Sequence, residues 1–157
     1  MKKIIITGHS NGLGKALTKY YLQQQYSVLG LSRSLINLEL SEKLQQYTID
    51  LSDAQAIEKL FSDGLINHFI ADADNIILIN NAGTVLPNAI VGSQRPSEII
   101  QAISLNITAP LLLSNYLVSI KPKNTKLKIV HISSGAGRKF YPGWSVYGAT
   151  KAALDQH

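Results

Sequence analysis

The amino-acid sequence predicts an α/β domain in which a doubly wound parallel sheet carries helices on both faces. Short runs rich in β-branched residues alternate with longer segments whose apolar residues recur at helical spacing. This order implies parallel strands that are joined by right-handed crossovers. The predicted strands are nearly all apolar, which is the pattern of a sheet buried on both faces. No repeat or linker divides the chain, so we expect residues 1–157 to form one domain.

Each predicted element follows from a local signal. The apolar runs predict five strands: Lys3 to Thr7, Ser27 to Leu31, Tyr47 to Ile49, Asn75 to Asn80, and Lys126 to Ile132. Helical spacing predicts helices from Leu13 to Gln25, from Ser52 to about Asn67, from Pro96 to about Ser119, and from Ser145 onward. Ser52, with Gln55 three residues on, predicts a capping box, and Pro96 suits a first helical turn. Because the chain ends at His157 inside a predicted helix, we expect the domain to continue beyond it.

Composition excludes several classes of protein. The chain has no cysteine, which excludes disulfides and a thiolate metal site, and we expect no metal. The N-terminus lacks the features of a signal peptide, and apolar runs such as Ala109 to Leu113 are too short to span a bilayer. A cytoplasmic protein without a membrane partner is therefore expected.

The net charge of +5 has two possible uses. Part of it lies in four lysines between residues 121 and 128, where no aromatic residue is interleaved for base stacking. This cluster therefore predicts a solvated loop and no nucleic-acid partner. The surplus positive charge also suits a phosphorylated cofactor.

A glycine-rich segment at 7–14 joins the first strand to the first helix. Glycines there permit a tight turn and a close approach of a pyrophosphate, and the helix N-terminus supplies free N–H groups. The predicted cofactor contacts are Gly8, Ser10, Asn11, Gly12, Leu13 and Gly14. The spacing differs from G-x-G-x-x-G, and a turn without a ligand is the alternative. No Gly-Lys-Ser/Thr follows, which disfavours a P-loop.

Arg33 follows the second strand, where an NAD-binding chain usually carries an acid for the ribose 2′-hydroxyl. The acid is missing, and an arginine can pair with a 2′-phosphate through its planar fork of donors. These two observations predict NADP(H) rather than NAD(H). The alternative is an ordinary surface arginine.

Three residues suggest carbonyl chemistry. Tyr147 and Lys151 are four apart on a predicted helix and so share one face. An ammonium favours a neighbouring phenolate, and such a pair can serve as general acid and base near neutral pH. Ser134 follows the fifth strand at the edge where ligands bind in parallel sheets, and its hydroxyl can hold a substrate carbonyl. The alternatives are a core tyrosine beside a solvent lysine, and a serine that caps a turn.

Asn106 lies within a predicted helix, four residues before Pro110. The proline lacks the N–H that would bond the Asn106 carbonyl, so that carbonyl is expected to be free. A water held there could relay protons to Lys151, and a simple helix kink is the alternative.

Taken together, these motifs resemble the short-chain dehydrogenase/reductase family, over the whole chain. The motifs are Thr7-Gly8-x-x-x-Gly12-x-Gly14, Asp50-Leu51, Asn80-Asn81-Ala82-Gly83, Asn106, Ser134 and Tyr147-x-x-x-Lys151. The resemblance implies a Rossmann-like sheet whose C-terminal strands are missing here. It implies that Tyr147 is the acid/base, that Lys151 assists it and holds the nicotinamide ribose, and that Ser134 orients the carbonyl.

The resemblance also implies roles for the other motifs. Asn106 would hold a relay water. Asp50 and Leu51 would contact the adenine. The segment Asn80 to Gly83, which includes Asn81 and Ala82, would line the cofactor. Residues 133–148 look most like the sepiapterin reductase and benzil reductase branch, whose members reduce dicarbonyl or aromatic ketones with NADPH. Phe140, Tyr141 and Trp144 would then place aromatic surface near the site, or simply pack their loop.

The resulting hypothesis is NADPH-dependent reduction of a small-molecule carbonyl to an alcohol, reversible as oxidation. The alternative is a non-catalytic nucleotide-binding or redox-sensing module of the same fold. Since the family often associates through its long helices, and 111–117 offers an apolar face, we expect a homo-oligomer.

Overall fold

A parallel sheet forms the centre of the computed structural model, which describes residues 1–37 and 42–157. Within these residues five strands are paired in the order β3-β2-β1-β4-β5. Their bounds are β1 Lys2–Thr7, β2 Ser27–Ser32, β3 Leu44–Thr48, β4 Asn75–Asn80 and β5 Lys126–His131. All four neighbouring pairs are parallel. The predicted sheet is confirmed, with β3 starting and ending earlier than the run at 47–49 predicted.

Helices cover both faces of the sheet. The bounds are α1 Gly12–Gln23, α2 Ala54–Ser62, α3 Leu65–Ile70, α4 Pro96–Ile103, α5 Ala109–Ile120 and α6 Ser145–Gln156. On one face, Ile4 and Val28 are buried against the apolar side of α1. On the other face, Ile5 and Leu29 belong to the larger cluster that includes α2, α3 and α5. Successive residues of β1 and β2 thus point into two different cores, which explains why these strands read as continuously apolar.

The second predicted helix differs from the expectation at both ends. Its N-cap is Asp53 and not Ser52, because the Asp53 carboxylate accepts hydrogen bonds from the backbone N–H groups of Gln55 and Ala56. Ser52 instead donates its hydroxyl to Asp50, at 2.7 Å. The predicted single helix also breaks at Gly64, whose φ of 69° is left-handed and ends α2 before α3 begins.

The third predicted helix contains a π-helical turn from Ser104 to Thr108, between α4 and α5. The N–H of Ala109 bonds the carbonyl of Ser104, five residues back. This wider turn lies just before Pro110, which cannot donate a backbone hydrogen bond. The sequence predicted a disturbed helix at this position, and the disturbance is a π-turn.

The combined helical stretch Pro96–Ile120 has 25 residues and by length and composition could cross a membrane. The prediction that the apolar stretches are too short to span a bilayer is therefore wrong for this helical stretch, as far as its length and composition are concerned. Ala109, Leu113 and Leu117 on this stretch are buried against the sheet. A core helix of a soluble protein meets the same criteria, so the absence of a membrane partner stays a prediction. The apolar face expected at 111–117 is thus largely turned inward.

The cap assignment can be tested by stability. Replacing Asp53 with Ala removes the acceptor for two N–H groups of α2, so the free energy of unfolding should fall by about 1 kcal/mol. Urea denaturation followed by circular dichroism measures this change. Ser52→Ala is the matched control and should cost less, since Ser52 caps no helix. A larger loss for Ser52→Ala than for Asp53→Ala would contradict the assignment.

Candidate active site

A cleft of about 330 Å³ runs along the carboxyl ends of the strands. Its walls come from the loops after β1, β2, β3 and β4, because parallel strands bring these loops to one edge. The predicted cofactor residues that line it are Gly8, Ser10, Asn11, Gly12, Leu13, Arg33, Asp50, Leu51, Asn81, Ala82 and Gly83. The structure therefore brings together four segments that the sequence singled out separately.

The glycine loop has backbone angles that residues other than glycine rarely adopt. Gly8 has φ of 66° and Gly12 has φ of 48°, both in the left-handed region. Gly14 does not line the cleft but is buried beneath it, where an added Cβ would lie 2.1 Å from the carbonyl oxygen of Gly8. Asn11 precedes α1, and its own side chain makes no hydrogen bond to the first N–H groups of the helix. These features fit the pyrophosphate of a dinucleotide.

Thr7 and Asn81 join the glycine loop to the loop after β4. The Thr7 hydroxyl oxygen accepts the backbone N–H groups of Asn81 and Ala82, both at 2.9 Å. In return, the Asn81 side-chain amide donates to the carbonyl of Thr7 at 2.9 Å and to that of Gly8 at 3.2 Å. Four hydrogen bonds therefore fix the relative position of two walls of the cleft.

Arg33 lines the same cleft, together with its neighbours Ser32 and Ser34. The guanidinium is exposed and its charge acts on Asp50 across the cleft. The pKa of Asp50 is lowered chiefly by the hydrogen bond from the Ser52 hydroxyl, and the positive charge of Arg33 acts in the same direction. A basic group and a carboxylate thus share the end of the cleft where the sequence predicted the adenine ribose.

Lys151, a predicted catalytic residue, lies between the cleft wall and Tyr147. The side chain is 5% exposed, and its Nζ donates to the carbonyl of Ile132, just after β5, at 2.7 Å. The same Nζ lies 5.7 Å from the centre of the Tyr147 ring. A Cβ added to Gly83, in the cleft wall, would lie 3.6 Å from it. Burial lowers the pKa of Lys151, and the charge of Asp155 opposes that shift.

Ser134 lies in the turn between β5 and α6. Its hydroxyl oxygen accepts the N–H of Ala136 at 3.2 Å and so caps a short 3-10 turn at Gly135–Gly137. This turn packs closely on α6, because a Cβ at Gly148 would lie 2.8 Å from the carbonyl oxygen of Ala136. The two glycines at 137 and 148 therefore allow the serine turn to approach the helix that carries Tyr147 and Lys151. The cap suggested as an alternative for Ser134 is present.

Asn106 is 1% exposed and its side-chain amide is fully engaged. It accepts the N–H of Thr84 and donates to the carbonyl of Thr84, both at 2.8 Å, and it donates to the Thr150 hydroxyl at 3.0 Å. Asn106 thereby ties the loop after β4 to α6, next to Lys151. This side-chain role was not predicted, and the relay water on its backbone carbonyl stays a prediction.

The aromatic residues near the site separate into two groups. Trp144 meets the Tyr147 ring edge-on, with centroids 5.5 Å apart, and Tyr141 lies 5.5 Å from Trp144. Phe140, by contrast, is fully exposed to solvent. Two of the three predicted aromatic residues therefore form a row that ends at Tyr147, and the third does not join it.

Several cleft residues were missed by the sequence analysis. Ser32, Ser34, Ile49, Gln101 and Leu105 also line the cleft. The two serines flank Arg33 in the sequence, and this position next to a predicted cofactor residue could have identified them. Gln101 and Leu105 lie one helical turn apart, and only the docking of that helix on the sheet brings them to the cleft.

Comparisons with known proteins place the whole chain in one group. The family model described as short chain dehydrogenase matches residues 2–157. A benzil reductase of Bacillus subtilis that forms (S)-benzoin is 38% identical, over 99% of this chain and 64% of that protein. The chain thus spans slightly less than two thirds of that relative.

Two solved structures share the fold over almost the whole chain. A short-chain dehydrogenase/reductase from Burkholderia vietnamiensis has a TM-score of 0.96 and 42% identity, over 99% of this chain and 76% of that one. A 4-hydroxyisoleucine dehydrogenase complexed with NADH has a TM-score of 0.84 and 30% identity, over 98% and 63%. The fold predicted from the sequence is confirmed.

The buried ammonium of Lys151 predicts a pH dependence of stability. Because its pKa is lowered in the folded protein, the folded protein loses this proton at a lower pH than the unfolded chain does. The free energy of unfolding should therefore increase as the pH rises toward the ordinary lysine pKa of about 10.4.

Urea denaturation between neutral and alkaline pH tests this expectation, with Lys151→Met as the variant that lacks the contribution. Lys15→Met, at an exposed lysine of α1, is the control and should follow the wild type. Parallel profiles for the wild type and Lys151→Met would contradict the prediction.

Proposed function

The chain belongs to the short-chain dehydrogenase family, and from that premise we propose that it carries the cofactor-binding and catalytic part of an NADP(H)-dependent oxidoreductase. The proposed reaction reduces a ketone or dicarbonyl to an alcohol and is reversible. One observation carries the proposal: the Lys151 ammonium lies both beside Gly83 of the cleft and near the Tyr147 ring. A nucleotide in the cleft would thus reach the predicted acid/base pair.

The proposed chemistry divides between the cofactor and the side chains. When bound, the nicotinamide cofactor supplies the hydride. Tyr147 gives its phenolic proton to the oxygen of the substrate as negative charge develops there. Lys151 places a positive charge near the Tyr147 ring, which favours the phenolate that remains. Ser134 donates its hydroxyl to the same substrate oxygen, in addition to accepting the N–H of Ala136.

The cleft residues bind and orient the cofactor in this proposal. The glycine loop, through Gly8 to Gly14, receives the pyrophosphate, and Asp50 and Leu51 contact the adenine. Asn81, Ala82 and Gly83 line the path toward the nicotinamide. Tyr147 regains its proton from Lys151, and a water held on the Asn106 carbonyl, which Pro110 cannot bond, returns a proton to Lys151.

The preference for NADP(H) rests on Arg33. The segment Leu31-Ser32-Arg33-Ser34 carries no acid at the end of β2, and Arg33 lines the cleft there. An acid at this place would bind the 2′-hydroxyl of NAD, whereas a guanidinium pairs with the 2′-phosphate of NADP. The 4-hydroxyisoleucine dehydrogenase named above was solved with NADH, so the family fold alone does not decide the cofactor.

The proposed substrate is a small carbonyl compound with aromatic or dicarbonyl character. The edge-on contact between Trp144 and Tyr147 provides flat apolar surface beside the proposed acid. The similarity to a benzil reductase favours the same class of substrate.

The proposed partners and location complete this function. We expect a homo-oligomer in the cytoplasm, with no nucleic-acid or membrane partner. The apolar face expected on α5 is largely buried and so is a poor candidate for the contact between copies. Ile100 and Ile103 on α4 are exposed, and we propose that they contact a second copy of the chain instead.

Replacing Tyr147 with Phe tests the catalytic assignment. In the full-length protein, turnover of a diketone such as benzil should fall by roughly 10²- to 10⁴-fold, since the variant lacks the phenolic proton. NADPH affinity, measured by nucleotide fluorescence, should stay within about twofold. Tyr20→Phe, at an exposed tyrosine of α1, is the control and should keep full activity. NADPH binding without turnover of any ketone by the wild type would instead favour the non-catalytic module.

Replacing Arg33 with Ala tests the cofactor assignment. Affinity for NADPH should fall by about tenfold or more, because a hydrogen bond to a charged group is lost, while affinity for NADH should hardly change. Calorimetric titration with each nucleotide measures both values. Lys19→Ala removes the same charge from the exposed side of α1 and should change neither affinity. Equal losses for both nucleotides in Arg33→Ala would overturn the preference.

A further inference from the structure

His9 is a buried titratable residue that the proposed chemistry does not use. It lies within the glycine loop, between Gly8 and Ser10, yet its side chain is 0% exposed and does not line the cleft. The imidazole turns away from the cleft and toward the sheet. A polar ring buried this completely needs hydrogen-bond partners, and the identity of those partners indicates its role.

Gly30, in the middle of β2, makes room for the ring. A Cβ added at Gly30 would lie 2.4 Å from both Cγ and Cδ2 of His9, so any other residue at this position would displace the ring. Glycine weakens a strand interior, so its presence here requires a compensating contact. The imidazole packed on the Gly30 backbone supplies that contact.

On one side the ring bonds to β3. The Nε2 of His9 lies 2.7 Å from Oε1 of Gln46. Gln46 also bonds the loop after β2 twice, since Oε1 accepts the N–H of Ile36 at 2.8 Å and Nε2 donates to the Ile36 carbonyl at 3.0 Å. These two bonds fix Oε1 as an acceptor, so the Nε2 of His9 is the donor.

On the other side the ring bonds to the end of β2. The Ser32 hydroxyl donates its one hydrogen to the Ser34 carbonyl at 2.7 Å, and its oxygen lies 2.9 Å from the Nδ1 of His9. The Ser34 hydroxyl donates to Ser10 in the glycine loop at 3.0 Å. The contacts of His9 with Ser32, of Ser32 with Ser34 and of Ser34 with Ser10 thus lead back to the neighbour of His9 in the chain, by way of the residues on either side of Arg33.

We propose that His9 is a positioning residue for recognition of the cofactor's 2′-phosphate. By bonding both Ser32 and Gln46, it holds the backbone on both sides of Arg33, so that the guanidinium and the Ser34 hydroxyl stand ready for a phosphate group. This inference rests on the proposed NADP(H) function. It assigns His9 no contact with the cofactor, so the loss of His9 should act through the loop after β2.

The decisive measurement compares NADP⁺ with NAD⁺, because the two nucleotides differ only in the 2′-phosphate. In the full-length protein, His9→Leu fills the space over Gly30 but makes neither hydrogen bond. Calorimetric titration should show a loss of about fivefold to tenfold in NADP⁺ affinity and a change within about twofold for NAD⁺. Gln45→Ala, at the exposed neighbour of Gln46, should leave both affinities unchanged.

A second variant guards against a general disturbance of the glycine loop. Ser32→Ala keeps the imidazole in place but removes the hydroxyl that links it to Ser34, so it should also selectively weaken NADP⁺ binding. The double variant should lose little more than His9→Leu alone, since both changes break the same chain of bonds. Equal losses of NADP⁺ and NAD⁺ affinity, or no loss, in both single variants would overturn the inference.

The same titrations separate this inference from the proposed cofactor. If the wild type binds NADP⁺ no better than NAD⁺, or if Arg33→Ala keeps a preference for NADP⁺, the cofactor proposal fails and the role of His9 fails with it. If Arg33→Ala loses the preference while His9→Leu and Ser32→Ala keep it, only the role of His9 is wrong.

Discussion

The hydrogen bonds between Thr7 and Asn81 are the contact on which the cleft depends. They join the ends of β1, the central strand, and its neighbour β4, and so fix the loops after these strands relative to each other. Parallel pairing brings both loops to one edge, but pairing alone leaves the loops free to diverge. The Thr7 hydroxyl, which is almost fully buried, removes that freedom by satisfying two backbone N–H groups at once.

Positive charge is placed differently at Arg33 and at Lys151. Arg33 lines the cleft and is exposed. Lys151, behind the cleft wall at Gly83, is buried, with a backbone carbonyl as its hydrogen-bond partner and a lowered pKa. Burial of an ammonium costs stability, and proteins retain such groups mainly where the charge serves a function. The buried lysine is therefore the stronger indication of chemistry, and the exposed arginine an indication of binding.

Most of the fold was predictable because periodicity and local turn signals agree along this chain. The errors occurred where two local signals competed. Ser52 and Asp53 are both good N-caps, and only the geometry of the turn after Asp50 decides that Ser52 bonds Asp50 while Asp53 caps α2. Gly64 was read through as part of a helix, since a glycine within an apolar helical pattern is tolerated until its φ becomes positive.

The sequence by itself determined the strand and helix order, the glycine loop, the base after β2 and the Tyr147–Lys151 spacing, because each depends on residues close together in the chain. Tertiary structure alone decided which distant residues meet. The engagement of the Asn106 amide with Thr84 and Thr150, and the burial of His9 between Ser32 and Gln46, follow from how helices and strands pack. The two Asn106 contacts alone join residues 22 and 44 positions apart, and no local pattern encodes that distance.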